Sequence, residues 1–297
     1  MPRTDRHIGR ARRRIALAGL AVASLALSAC SAVGISTEAS NGYLPNGVTE
    51  EAQLVENLWI GSWIAALAVG VLVWGLTLWC MVAYRRRKDD DGTLPPQLQY
   101  NVPLEVLYTA VPILMVGALF YFTEDVQSKL YDAQDEPDVT INVVGKQWSW
   151  DFNYVDADVH EAGQMAELAD GKEGQQEKLP TLYIPVDKRV EFQLTSRDVI
   201  HSFWVPAFLE KMDLNPSLVN RLQVVPTETG TFQGKCAELC GAYHSQMLFN
   251  VKVVSQGEFD QHMDELKAKG QTGQLPNGLN REAMVPGQED LLEEGAR

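Results

Sequence analysis

The stretch C-A-E-L-C-G-A-Y-H-S-Q-M, Cys236 to Met247, places two thiols, an imidazole and a thioether within twelve residues. Three residues separate Cys236 from Cys240, so one turn of chain can bring both sulfurs into a single pocket. His244 lies four positions beyond Cys240, and Met247 three beyond that. A second imidazole, His201 in D-V-I-H-S-F-W-V-P, has to arrive from another loop. Thiolate, imidazole and thioether are the set that soft copper prefers. Zinc accepts two Cys and two His but gains nothing from a thioether. A Cys236–Cys240 disulfide is the alternative for an oxidising compartment. A blue single-copper site needs one thiol; the second is enough to bridge two coppers. A rigid two-loop cage suits electron transfer, because it limits rearrangement when copper changes oxidation state.

Around this stretch the chain reads as strands. V-T-I-N-V-V-G-K-Q-W-S-W-D-F-N-Y alternates apolar and polar residues with aromatics, and T-L-Y-I-P-V, V-E-F-Q-L-T-S, L-Q-V-V and L-F-N-V-K-V-V repeat that character. Short strands broken by Pro and Gly turns imply an all-β sandwich or barrel. With ligands on loops at one end, residues 126–255 read as a cupredoxin-like domain. The acidic stretch Asp156 to Lys178 reads as an exposed insert, disordered or weakly helical, with His160 a surface residue. Residues 256–297 begin with a short helix over E-F-D-Q-H-M-D-E-L-K-A-K and continue as a polar tail; His262 is given no role there.

Towards the N-terminus the chain becomes apolar. Leu58 to about Tyr84 holds four Trp and no charge, long enough to span a bilayer, and ends on R-R-R-K, Arg85 to Lys88. Basic residues remain in the cytoplasm. A second span, Val102 to Phe122, contains Pro112 and Glu105. Residues 55–125 thus read as a transmembrane helical hairpin, with residues 30–54 and everything after the hairpin on the outer face. Glu105 either reaches the interface or serves a function, since an ionisable residue inside a span is a functional candidate. Residues 1–29 have a basic start and an apolar core too short to span, as a removed signal peptide does. L-S-A-C, Leu27 to Cys30, resembles the bacterial lipobox; acylation at Cys30 or ordinary cleavage nearby are the two readings. Cys80 reads as a buried, inert thiol.

The formal net charge of -14 argues against nucleic-acid binding, which calls for basic surface. An acidic exterior steers a cationic partner, or only aids solubility. C-x-x-C-H is absent from the sequence, so the chain brings no covalently attached haem of its own.

The pattern H(x34)C-x-E-x-C-x3-H-x2-M resembles the dinuclear copper (CuA) site of cytochrome c oxidase subunit II, with the hairpin and β domain in the same order over about residues 55–255. The resemblance implies Cys236 and Cys240 as bridging thiolates and His201 and His244 as ligands of one copper each. It implies Met247 as a weak thioether ligand and Glu238 as a backbone-carbonyl ligand, whose side chain reaches a magnesium ion shared with subunit I. G-K-Q-W-S-W-D-F-N-Y is similar to the family's aromatic segment, which makes Trp148 the electron inlet from cytochrome c. L-E-V-L-Y-T-A-V-P is similar to the start of its second helix, which puts Glu105 at the entrance of a proton pathway. The implied partners are oxidase subunits I and III, cytochrome c or a respiratory complex that bears it, and membrane lipid. The implied place is the bacterial cell membrane, as a two-pass protein. N-P-S, Asn215 to Ser217, departs from the family's I-P-G, and the acidic insert is an addition. A membrane-anchored copper carrier or delivery module outside an oxidase is the alternative; a quinol-oxidising relative would lack the ligands, and the copper domain of nitrous oxide reductase would lack the spans.

Overall fold

A computed structural model describes residues 41–86, 94, 97–131, 136–166 and 179–279. The signal-peptide residues and Cys30 lie outside the described residues, as do positions 167–178 of the acidic insert and the tail from 280.

Helix α1 runs Glu50–Ala83 and α2 runs Val102–Tyr131. Both are long and apolar enough to cross a membrane. Their apolar side chains face outward along most of their length, as a bilayer-spanning helix requires. Cys80 is accordingly exposed on α1, not buried as the apolar run suggested. Each helix is longer than its apolar stretch. α1 starts at Glu50 because Thr49 caps it, its hydroxyl accepting from the Ala52 amide at 3.0 Å. α2 continues past Phe122 through polar turns joined by Lys129–Asp125 at 2.7 Å and Ser128–Glu124 at 2.9 Å.

Among the described residues, ten strands follow in two five-stranded sheets. They are β1 Val139–Lys146, β2 Ser149–Tyr154, β3 Val159–Ala162, β4 Thr181–Pro185, β5 Val190–Ser196, β6 His201–Val205, β7 Glu210–Leu214, β8 Asn220–Val224, β9 Gly230–Cys236 and β10 Leu248–Val254. The first sheet has the order β3-β2-β1-β5-β8 and the second β4-β10-β9-β6-β7. Pairs β1·β5 and β4·β10 are parallel, the others antiparallel. Inward-facing Ile141, Val143, Trp150, Phe152, Phe192, Phe203 and Phe249 fill the space between the sheets. Phe203 stacks on Phe249 with ring centroids 5.1 Å apart, and Trp150 meets both rings. This is the two-sheet sandwich that the alternating segments imply.

The acidic insert is ordered where it begins. Val159–Ala162 pairs with β2, and Val159 is fully buried, so an apolar residue in an acidic stretch anchors an extra edge strand. Helix α3, Gln256–Ala268, carries a reciprocal Ser255–Glu258 capping box. His262 on α3 is not a bystander: its ring stacks on Tyr183 at 3.6 Å. His160 is likewise tied down, its Nδ1 lying 2.9 Å from the Gly273 carbonyl oxygen.

Candidate metal centre

Three neighbouring strands of the second sheet meet at the same end. β9 ends on Cys236, β6 begins on His201, and β10 begins just after Met247. The register Phe203↔Cys236 sets β6 beside β9, and the Ala237 amide bonds the Ser202 carbonyl at 3.1 Å. The Cys236 amide bonds the Met247 carbonyl at 3.0 Å, which closes the loop between them. That loop turns through Gly241 and a short 3-10 segment, His244–Gln246.

The predicted ligands converge. Cys236 and Cys240 are free thiols with sulfurs 3.9 Å apart, so no disulfide joins them. Nδ1 of His201 lies 3.9 Å from the Cys236 sulfur, and Nδ1 of His244 lies 3.5 Å from that of Cys240. The Met247 thioether is 3.8 Å from the Cys240 sulfur, and the Glu238 carbonyl 3.2 Å from the Cys236 sulfur. Donor atoms of His201, Cys236 and Cys240 lie within 4.8 Å of one another, and all three residues are buried.

Burial opposes ionising either thiol, but their surroundings differ. At Cys236 the His201 ring and backbone groups of Ser202 and Glu238 outweigh burial, and the pKa falls to about 7. At Cys240 burial and the adjacent Cys236 sulfur act together, and the pKa rises to about 12. Two thiolates side by side therefore call for a cation, because metal binding is what drives the second proton off. The donor set fits copper: two thiols and a thioether are softer than zinc requires.

Two residues orient this set, and the motif reading passed over both. Asp198 Oδ1 lies 2.8 Å from Nε2 of His201, which assigns the ring proton to Nε2 and leaves Nδ1 as the donor facing Cys236. Burial raises the Asp198 pKa, but hydrogen bonds from the Gln147 amide, the His201 ring and the Val199 amide bring it below the usual carboxylate range. The His201 side chain packs close to Gly145, where a Cβ would come within 2.8 Å of Cδ2. From the β1–β2 turn, Gln147 Nε2 donates to the Cys240 carbonyl at 2.8 Å and Trp148 Nε1 to the same oxygen at 3.2 Å. Asp198 stands three residues before His201 and Gln147 immediately before Trp148, so proximity to the motif residues was the available signal.

Sequence comparison gives the family. The chain is 49% identical to the probable cytochrome c oxidase subunit 2 of Streptomyces avermitilis, over 80% of this chain and 82% of that one. This chain belongs to the cytochrome c oxidase subunit II family. It is also 38% identical to cytochrome c oxidase subunit 2 of Mycobacterium tuberculosis, over 85% and 82% of the two chains. The family profile described as "Cytochrome C oxidase subunit II, periplasmic domain" matches residues 139–254, which run from β1 to the end of β10. Among solved structures, the periplasmic domain of subunit II of cytochrome oxidase (CoxB) from Bradyrhizobium japonicum is similar at 34% identity and a TM-score of 0.42, over 46% of this chain and 97% of that one.

In this chain Trp148 sits against the loop that carries the cysteines, half-buried, with its ring edge-on to Tyr243 at 4.9 Å. Glu238 turns its carbonyl toward Cys236 and leaves its side chain exposed. Glu105 stands apart from the centre. It lies in the first turn of α2, its Oε1 accepting from the Asn101 amide at 2.8 Å, beside a shallow cavity of about 380 Å³ lined by Val102, Val106 and Thr109.

Proposed function

We propose that this chain is the electron-accepting subunit of a membrane-bound, haem-copper terminal oxidase. It takes electrons from cytochrome c, or from a complex that bears one, and passes them to haem in subunit I. The observation that carries this reading is the pair of thiols 3.9 Å apart with an imidazole beside each. With the thioether and the carbonyl, the two thiols and their four neighbours make six donors, more than one tetrahedral ion uses. The reading is therefore two coppers, which Cys236 and Cys240 would share and His201 and His244 would help to hold, with Met247 and the Glu238 carbonyl as weaker ligands. Bound there, the pair supplies a one-electron acceptor with its charge shared across the two sulfurs.

The chain's own residues prepare that transfer. Asp198 fixes the tautomer and tilt of His201. Gln147 and Trp148 clamp the Cys240 carbonyl, and through that hydrogen bond the indole touches the backbone of a ligand residue itself. Trp148 is therefore the inlet. The exposed Glu238 carboxylate is free to reach a magnesium ion shared with subunit I. Glu105 marks the cytoplasmic entrance of a proton pathway in the assembled enzyme. Arg85 and Arg86 at the end of α1 hold that end in the cytoplasm and set the β domain on the outer face. Cys30, after removal of residues 1–29, is a candidate lipid anchor. Subunit III and lipid complete the surroundings of the hairpin.

The test is to purify the chain from its native membrane and measure haem and copper. Co-purification with haem and two coppers per chain in its soluble part is expected. A haem-free chain carrying one copper would overturn the assignment.

A further inference from the structure

The segment that follows α3 has no part in the motif, yet it crosses the first sheet and ends against the His201 arm. It begins at the edge strand: Thr272 bridges Val159, and the Gly273 amide bonds the Asp158 carbonyl at 2.8 Å. Over β2 it meets Asn153 twice. The Leu275 amide donates to Asn153 Oδ1 at 2.8 Å, and Asn153 Nδ2 donates to the Leu275 carbonyl at 3.0 Å. At the end of β5 it presses Gly278 on the chain, where a Cβ would come within 2.5 Å of the Ser196 carbonyl oxygen and 3.1 Å of the Arg197 Cα. Gly278 has φ +84°, a conformation that glycine adopts without strain.

This covering explains a feature the strand pattern left unaccounted for. The outward-facing residues Asn142, Asn153 and Thr195 are polar, yet all are buried. They form one network. Asn153 Nδ2 donates to Asn142 Oδ1 at 3.1 Å, and Asn142 Nδ2 donates to Thr195 Oγ1 at 3.1 Å and to the Gln193 carbonyl at 2.8 Å. Thr195 adjoins Ser196, whose hydroxyl bonds the Val199 carbonyl and accepts from the Asp198 amide at 3.2 Å. Asp198 then holds His201 at 2.8 Å. Every link is a hydrogen bond or a peptide bond, and buried polar groups of this kind are costly to leave unpaired.

We infer that residues 272–279 form a positioning strap for the metal centre, which sets the Ser196–His201 turn and so the aim of His201 at Cys236, through Asn153 and Asn142 on one side and Gly278 on the other. The chain thus holds its remote ligand from a segment more than seventy residues downstream of it in sequence. The inference deepens the copper-centre reading and rests on it for its functional meaning; the mechanical part stands in the metal-free protein.

Hydrogen exchange on the full metal-free chain in detergent tests that part. Two variants are compared with the wild type: Gly278→Ala, which drives a methyl into the Ser196 carbonyl, and a chain ending at Gln274, which keeps the β3 contacts but loses Leu275 and Gly278. The amides of Arg197, Asp198 and Val199 are all hydrogen-bonded in this turn. Their exchange is expected to rise about tenfold in both variants, while β10 at the other arm of the site keeps its wild-type rate. Equal loosening of β10, or no change in the turn, would overturn the strap. In copper-loaded samples, two coppers and the sulfur-to-copper absorption are expected to persist while the histidine nitrogen hyperfine couplings change; unchanged couplings would overturn the claim that the strap aims His201. A wild-type chain that fails to bind a copper pair would count against the copper-centre reading alone, and the exchange result would remain.

Discussion

The two arms of the metal centre are built in opposite ways. The Cys236–Met247 arm carries its donors on one short loop, so the loop's own turns bring the sulfurs, the imidazole and the thioether together. The His201 arm contributes one donor from the start of β6 and needs help from four places: Asp198 beside it, Gly145 close to its side chain, the Gln147 amide behind Asp198, and the strap behind Ser196. A dense ligand loop largely orients itself, whereas a lone ligand from a distant strand is held by its surroundings. Damage should therefore be direct in the first arm and transmitted in the second.

The largest effect is expected in the dense arm. Cys236→Ser removes one of the two thiols proposed to bridge the coppers and should abolish the sulfur-to-copper absorption; a persisting purple spectrum would refute the bridging role. Next comes the hairpin that carries the remote arm. Glu210 opens β7, paired with Val205 at the far end of β6 from His201. Its carboxylate is buried, and neither oxygen meets a hydrogen-bond donor. Burial, then the nearby Glu51 carboxylate, pushes its pKa up to about 8. The folded state thus holds this proton more tightly than the unfolded chain does. Stability from this source is full below the ordinary carboxylate range and declines as pH rises toward and through about 8. Glu210→Gln should flatten the melting temperature between pH 5 and pH 9, recovering on the order of a few kcal/mol at the alkaline end. An unchanged pH profile would mean that the hairpin is not strained by this group.

Asp198→Asn should leave the dense arm intact and loosen only His201. Outer-shell partners of ligating histidines are worth roughly tenfold to a hundredfold in metal affinity, to be read by chelator competition. An effect as large as that of Cys236→Ser would erase the distinction between the arms. The smallest change is expected for Met247→Leu, which should keep both coppers and shift only the reduction potential, measured by redox titration. Loss of copper would make Met247 a structural ligand.

The same contrast governs what the sequence reveals. Apolar and alternating segments imposed the hairpin and the sandwich, because burial in a bilayer or between two sheets depends on local pattern. The ligands were visible because soft donors rarely cluster without a metal. The helix extensions at Glu50 and past Phe122 depend on caps and polar i,i+4 pairs that hydropathy does not register. β3 depends on one apolar residue, Val159, within an acidic stretch. Asp198, Gln147 and the strap act through geometry between segments far apart in sequence. His262 buries itself by stacking on Tyr183, a partner 79 residues upstream.

The central claim is that Cys236 and Cys240 share a pair of coppers. Electron paramagnetic resonance of the copper-loaded, partly reduced full chain tests it most directly. One electron shared equally by two copper nuclei of spin 3/2 gives a seven-line hyperfine pattern, and that pattern, with two coppers per chain, is the expected result. A four-line signal at one copper per chain would contradict it.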